Sequence, residues 1–277
     1  MISSPFVKPS VFLIGFTEVD DSELLRYLKH THNEDFITLY RKALDSGVKS
    51  AECLASFFAK LCYSSLSLGK NDNITQTRDI PSNLAACFEH GHSSVFGHIN
   101  FSFVITNCSR VFTHELVRHH VGTEFSQTSG RYVRTEDIKV VWDPILDPIK
   151  KDVEAALDYL QIKYRNACID MNLDDSKNTF DYKKKVTSAL RRIFLPNGIA
   201  NEIGFTLNVR AARHIIQMRT SSHAEWEIRY VFAQIFEILR KNYPLLFADA
   251  QVRMVDDLPE VYGMRTTPYE LAYPKNS

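Results

Sequence analysis

Apolar residues recur along this chain in two rhythms. Ala51, Leu54, Ala55, Phe58 and Cys62 are spaced three and four apart, which predicts a helix over 48–63. Ile99, Phe101, Phe103 and Ile105 instead alternate with Asn100, Ser102 and Val104, the rhythm of a half-buried strand. Short helices are predicted at 24–29 and 34–44. Pro81 opens a further helix and Gly91 closes it, the usual asymmetry of helix ends. Ser109 is placed to cap a helix running to Gly122, and a polar loop follows from Thr123 to Tyr132.

The second half is patterned more strongly. Asp147-Pro148 starts a helix whose buried face is Val153, Leu157, Leu160 and Tyr164, and another helix over 182–195 stops at Pro196. Ile203, Phe205, Leu207 and Val209 alternate as a strand that leads directly into an Ala211–Met218 helix. Ser222 with Glu225 three residues on reads as a capping box for a helix reaching about Lys241. Helices dominate, with a few strands between them. The expected fold class is α/β (α+β), with helices packed on a small mixed sheet. No repeat or Pro/Gly/Ser-rich linker divides the chain, so residues 1–277 are expected to form one domain.

Composition narrows the function. Hydrophobic residues at 44% and charged residues at 24% are ordinary globular usage, which sets disorder aside. The 33 basic and 33 acidic residues cancel, and that balance argues against a nucleic-acid binder. The five cysteines form no CxxC pair and their number is odd, so reduced thiols in the cytoplasm are expected. The apolar run Val11 to Phe16 is too short for a signal segment. No stretch approaches the roughly 18 apolar residues of a membrane helix.

The chemistry concentrates in three places. His90, His92, His98, His114, His119 and His120 fall within 31 residues. Their spacing is poor for a metal, because adjacent His119 and His120 diverge by about 100° on a helix. No metal site is expected, leaving structural or ligand-binding duty. Glu115, Arg118 and His119 are spaced to share a helix face, just before a Ser/Thr/Gly-rich loop that ends at Arg131. A guanidinium beside such a loop suits a phosphate, and a solvated charged helix is the alternative. Arg192 before Pro196, then Arg210, Arg213, His214 and Arg219, form the third group. Together they point to an anionic ligand on an otherwise neutral chain.

Arg118-His119-His120 followed by Ser126-Gln127-Thr128-Ser129-Gly130-Arg131-Tyr132 resembles the signature of flavin-dependent thymidylate synthases, the thymidylate synthase-complementing proteins. Gly91-His92-Ser93-Ser94-Val95-Phe96-Gly97-His98, Asn208-Val209-Arg210, Met218-Arg219 and Ser222-His223-Ala224-Glu225-Trp226-Glu227-Ile228 resemble further segments of that family in the same order. The matches span about residues 50–240. The resemblance implies reductive methylation of dUMP to dTMP, with methylenetetrahydrofolate as carbon donor and reduced FAD as hydride source. It also implies NADPH as reductant of the flavin, a cytoplasmic homotetramer with shared active sites, and the family's own α/β fold. Membrane and nucleic-acid partners are not expected. Alternatives are a C5 methylase of UMP or of a modified pyrimidine nucleotide, and an inactive flavin or nucleotide binder.

Carried over residue by residue, the resemblance assigns FAD to Ser94, Arg118, His119, His120, Gln127, Asn208, Val209, Arg210 and His214. It assigns dUMP to Glu115, Arg118, Gln127, Thr128, Ser129, Gly130, Arg131, Arg192 and Arg219. Arg219 is the expected catalytic residue, stabilising charge on the uracil oxygens. Three positions depart from the family pattern. His120 stands for the second arginine of an Arg-His-Arg signature, and Gly97 and Gln127 stand where glutamate is frequent. The loop between His120 and Ser129 is one residue longer than usual. A covalent, cysteine-dependent thymidylate synthase is excluded, since no cysteine here follows a proline.

Overall fold

The computed structural model describes residues 4–135 and 137–265. Its strands are Phe6–Val7 (β1), Ser10–Phe16 (β2), Asn100–Cys108 (β3), Thr123–Gln127 (β4), Val140–Val141 (β5), Asn201–Asn208 (β6), Gln251–Val255 (β7) and Leu258–Tyr262 (β8). Its α-helices are Asp21–His30 (α1), Glu34–Asp45 (α2), Ser50–Cys62 (α3), Ile80–Glu89 (α4), Arg110–Leu116 (α5), Lys150–Asp170 (α6), Phe180–Phe194 (α7), Val209–Thr220 (α8) and Trp226–Asn242 (α9). The main sheet has the order β2-β3-β6-β4 and is antiparallel throughout. A parallel β1–β5 pair and an antiparallel β7–β8 hairpin complete an α/β arrangement of helices on small sheets.

The alternation read from the sequence decides which way the main sheet faces. Phe101, Phe103 and Ile105 of β3 and Ile203, Phe205 and Leu207 of β6 are all buried on one face. Register places Phe103 opposite Phe205 and Phe101 opposite Leu207. Helix α9 covers this face with Ile228, Val231, Phe232, Ile235, Phe236 and Leu239, a stripe at helical spacing that is fully buried. The other face carries a Ser102–Thr206 hydroxyl pair at 2.8 Å and Phe12, which is 51% exposed. An irregularity in β2 between Leu13 and Gly15 leaves Ile14 66% exposed and sets Phe16, 52% exposed, opposite Phe101 and beside Tyr243. Helices α6 and α7 pack on each other beyond the main core, around Tyr164, Cys168, Leu173 and Val186. Among the described residues no helix is long and apolar enough to cross a membrane.

Four local expectations are corrected. The helix capped by Ser109 ends at Leu116 and does not run to Gly122. Thr123 must leave that turn to pair with Leu207, and its hydroxyl takes the His119 carbonyl that a longer helix would have used. The Thr123–Tyr132 stretch is therefore only partly loop, since its first five residues are β4. Val209 begins α8 and does not end a strand, because Asn208 caps that helix by accepting from Ala211 N at 2.8 Å. Ser222 and Glu225 form no capping box. Glu225 is itself the cap of α9, and one of its carboxylate oxygens accepts from Glu227 N at 2.8 Å and from Ile228 N at 3.4 Å.

Candidate active site

A cleft opens where α5, the segment after β4 and the end of α7 meet. Ser109 Oγ accepts from Phe112 N at 2.9 Å, and Arg110 N donates to Asn197 O at 3.0 Å, which ties the start of α5 to the turn after α7. Pairing of β4 with β6 carries the chain to Gln127, and Thr128 N donates to Glu202 O at 3.0 Å. The chain then turns as Tyr132 N and Val133 N both donate to Ser129 O at 3.1 Å. The cleft has a volume of about 510 Å³ and is open to solvent. Gln127, Thr128, Ser129, Gly130, Arg131 and Arg192 line it, six of the residues expected at the nucleotide.

Arg110, Arg191 and His114 also line this cleft; the sequence pattern singles out His114 only as one of the histidine cluster and gives no signal for the two arginines. No carboxylate is among the described lining. The Nε2 of Gln127 is buried and has no hydrogen-bond partner. Buried donors are almost always satisfied, so this one is available to an acceptor on a ligand. Gly130 matters for space. A Cβ there would lie only 2.8 Å from Arg191 Cζ and closer still to other atoms of that side chain.

Glu115, His119 and Arg219 converge beside the cleft, at the end of α5 and the last turn of α8. Arg219 Nη1 donates to Glu115 Oε2 at 3.0 Å, and Arg219 Nε donates to His119 Nε2 at 2.7 Å. Burial, then the Arg219 and His214 charges, push the His119 imidazole down to about 4. It is neutral near pH 7, which agrees with Nε2 acting as acceptor. Two of the five N–H groups of Arg219 are committed to these partners, and three remain for a ligand. Arg118 stands outside this group. It is exposed beyond the end of α5, with its backbone N–H on Glu115 O at 3.3 Å.

The remaining expected flavin residues gather on the outer side of α8. Arg210 and His214 are one turn apart and exposed, with Met218 a turn further on. Gly122, at φ +72°, brings the loop close against the Asn208 side chain, and a Cβ there would collide with it. Arg118, His120 and Val121, which is 79% exposed, lie on the same loop. Cations beside exposed apolar side chains suit a pyrophosphate joined to a flat ring, so these residues fit FAD. Two assignments need qualification by geometry. The Val209 side chain is fully buried and its backbone N–H donates to Ile99 O at 2.9 Å, so this residue shapes the site from beneath. Ser94 lies in a separate cavity of about 560 Å³, with Lys60, Cys62, Arg78, His90 and His92.

The histidine cluster disperses in three dimensions. His98 stacks on Phe58 at 3.8 Å, His92 Nε2 meets Tyr63 Oη at 3.1 Å, and His114 lines the arginine cleft. Among the described residues no three His, Cys, Asp or Glu side chains are grouped to hold a metal ion. None of the cysteines lines the arginine cleft. Burial raises the Cys53, Cys87 and Cys108 thiols to about 12, 11 and 12.

Fold and site define an α/β protein with a cationic cleft at the edge of an antiparallel sheet. A family model described as thymidylate synthase complementing protein matches residues 43–245, and the chain belongs to that family. It is 32% identical over 235 residues to a Corynebacterium diphtheriae protein named flavin-dependent thymidylate synthase, covering 83% of this chain and 90% of that one. Proteins of the same name from Mycobacterium avium and Mycobacterium tuberculosis are 34% identical over 213 residues, 75% of this chain and 83% of theirs.

Proposed function

We propose that this chain is a flavin-dependent thymidylate synthase that methylates C5 of dUMP. The observation that carries the reading is the arginine cleft with no carboxylate in its described lining, beside the Glu115–His119–Arg219 cluster. Methylenetetrahydrofolate would donate the carbon, and FAD, re-reduced by NADPH, supplies the hydride when bound. Arg131 and Arg192 clamp the dUMP phosphate, with Ser129 and the orphaned Gln127 Nε2 as further donors. Arg219 faces the uracil ring and stabilises negative charge that builds on its oxygens. Glu115 and neutral His119 hold the guanidinium in place, so its free N–H groups need no reorganisation as that charge develops. Ser94, Arg118, His119, His120, Gln127, Asn208, Val209, Arg210 and His214 would hold FAD.

Residues 1–277 would act as one domain in a cytoplasmic homotetramer. Two observations support assembly. Phe12, Ile14 and Phe16 of β2 are exposed apolar side chains, the kind of surface that another chain covers. The expected flavin residues also divide between α8 and the separate Ser94 cavity, as they would if neighbouring copies completed each site. No cysteine lines the arginine cleft, and burial holds the Cys53, Cys87 and Cys108 thiols protonated, which supports a reaction without a cysteine nucleophile at the nucleotide.

The test is the absorbance spectrum of the purified protein, followed by tritium release from C5-tritiated dUMP with methylenetetrahydrofolate and NADPH. A flavin spectrum with dUMP-dependent tritium release is expected. Protein that binds no FAD at tens of micromolar, or that releases tritium only from UMP, overturns the reading.

A further inference from the structure

The four arginines of the cleft lie at two depths. Arg131 and Arg192 are exposed at its mouth, whereas Arg110 and Arg191 are half-buried. Arg191 is fixed with care. Its side chain lies against the backbone of Gly130 in space that any Cβ would close, and its Nη1 donates to Thr135 Oγ1 at 3.0 Å. Among the described residues neither Arg110 nor Arg191 has an ion-pair partner. The two also repel: burial, then the Arg110 charge, lower the proton affinity of Arg191. Guanidinium does not deprotonate in proteins, so two half-buried cations side by side are unfavourable until an anion joins them. One phosphate dianion is matched by the pair at the mouth. The deeper pair is surplus to a monophosphate.

We propose that Arg110 and Arg191 form a second oxyanion seat beneath the Arg131–Arg192 pair, so that the cleft holds pyrimidine nucleoside diphosphates more tightly than monophosphates. The inference rests on the nucleotide reading of this cleft. The second phosphate supplies the counter-charge that the folded chain withholds from Arg110 and Arg191. Arg191 then sets selectivity by phosphate number, through the fork geometry that Gly130 makes room for. A nucleotide bound in this way competes with dUMP for the mouth of the cleft. Nucleoside diphosphate levels would thus throttle the reaction without any separate regulatory site.

Calorimetric titration of the full-length, FAD-loaded protein with dUMP and with dUDP, at matched ionic strength, tests this. Wild type should bind dUDP at least about tenfold more tightly than dUMP, the range for one added charge-assisted contact. Arg191→Gln should erase that ratio, and Arg191→Lys, which keeps the charge without the fork, should retain part of it. If Arg191→Gln fails to fold, the Arg191→Lys ratio decides alone, and a full tenfold preference there overturns the role of the fork. Equal affinities for dUDP and dUMP in wild type overturn the second seat while leaving the nucleotide reading intact. So does an Arg191→Gln variant that weakens both ligands equally. Failure of wild type to bind dUMP at all removes the nucleotide reading, and the seat with it.

Discussion

Removing Arg219 is the sharpest perturbation of the proposed chemistry, because its guanidinium couples two other groups. In Arg219→Ala the Glu115 carboxylate loses a 3.0 Å partner and His119 loses a 2.7 Å donor. The ion-pair side chains are 18% and 29% exposed, so the structural cost is modest, about 1 kcal/mol. The catalytic cost is larger. One donor aimed at developing oxyanion charge is worth about 10²–10³ in rate, or about 3–4 kcal/mol on the barrier. A second readout is independent of turnover. His119 is held at about 4 by burial first and by Arg219 next, so deleting that cation and opening the site must raise it toward its ordinary range. Tritium release measures the first effect, and an NMR titration of the His119 ring measures the second. Arg219→Ala should fold, keep FAD, lose at least about a hundredfold in dUMP methylation and show a raised His119. Activity within about twofold of wild type would refute the catalytic assignment. An unmoved His119 would refute the geometry beneath it.

Three further outcomes are expected. Burial raises the Glu227 carboxyl from 4.5 to about 7, so the folded state holds its proton longer than the unfolded chain and stability falls as pH rises from 4.5 through 7. Glu227→Gln keeps an acceptor for Ser109 N, which Glu227 Oε1 takes at 2.6 Å, and should stabilise the protein by about 2–3 kcal/mol at pH 8 but hardly at pH 4; equal denaturation midpoints at pH 8 would contradict it. Asn208→Ala removes the cap of α8 and should cost about 1 kcal/mol in urea unfolding while weakening FAD at least tenfold; unchanged FAD affinity would take Asn208 out of the flavin site. His120→Arg adds a permanent cation to the loop facing α8 and should tighten FAD at pH 8, read by fluorescence quenching; identical affinities would place His120 away from the cofactor.

The parts of the fold that were legible are those where one residue pattern had one physical solution. Phe101, Phe103, Ile203 and Phe205 bury one face of a sheet, and alternation alone announces that. The stop of α5 was not legible. From Glu115 to Val121 nothing breaks a helix, and the end is imposed by the pairing of Thr123 with Leu207 far along the chain. The β7–β8 hairpin was missed for a different reason. Its turn is Asp256-Asp257, both at positive φ (51° and 60°), and two aspartates are weaker turn signals than Asn-Gly or Asp-Gly. The Ser222–Glu225 pattern was read with its roles reversed, since a carboxylate at the start of a helix caps it as readily as a hydroxyl.

The site was legible where its residues cluster in sequence and hidden where they meet in space. Gln127 to Arg131 stand together in the sequence, and together they line the cleft. Arg219 and His119 are 100 residues apart, and no spacing rule joins them. Arg191 was hidden behind its neighbour, because its place depends on Gly130 having no side chain. The zero net charge also concealed how much positive charge collects here. Arg134, Arg165, Arg213, Arg229 and Arg253 are each paired with a carboxylate elsewhere, and Arg213 holds both oxygens of Asp249 at 2.7–2.8 Å. Arg110, Arg131, Arg191 and Arg192 receive no such partner among the described residues, so a chain neutral in sum is strongly cationic in one cleft. Charge counted along a sequence registers amount, whereas a binding site depends on which charges folding leaves unpaired.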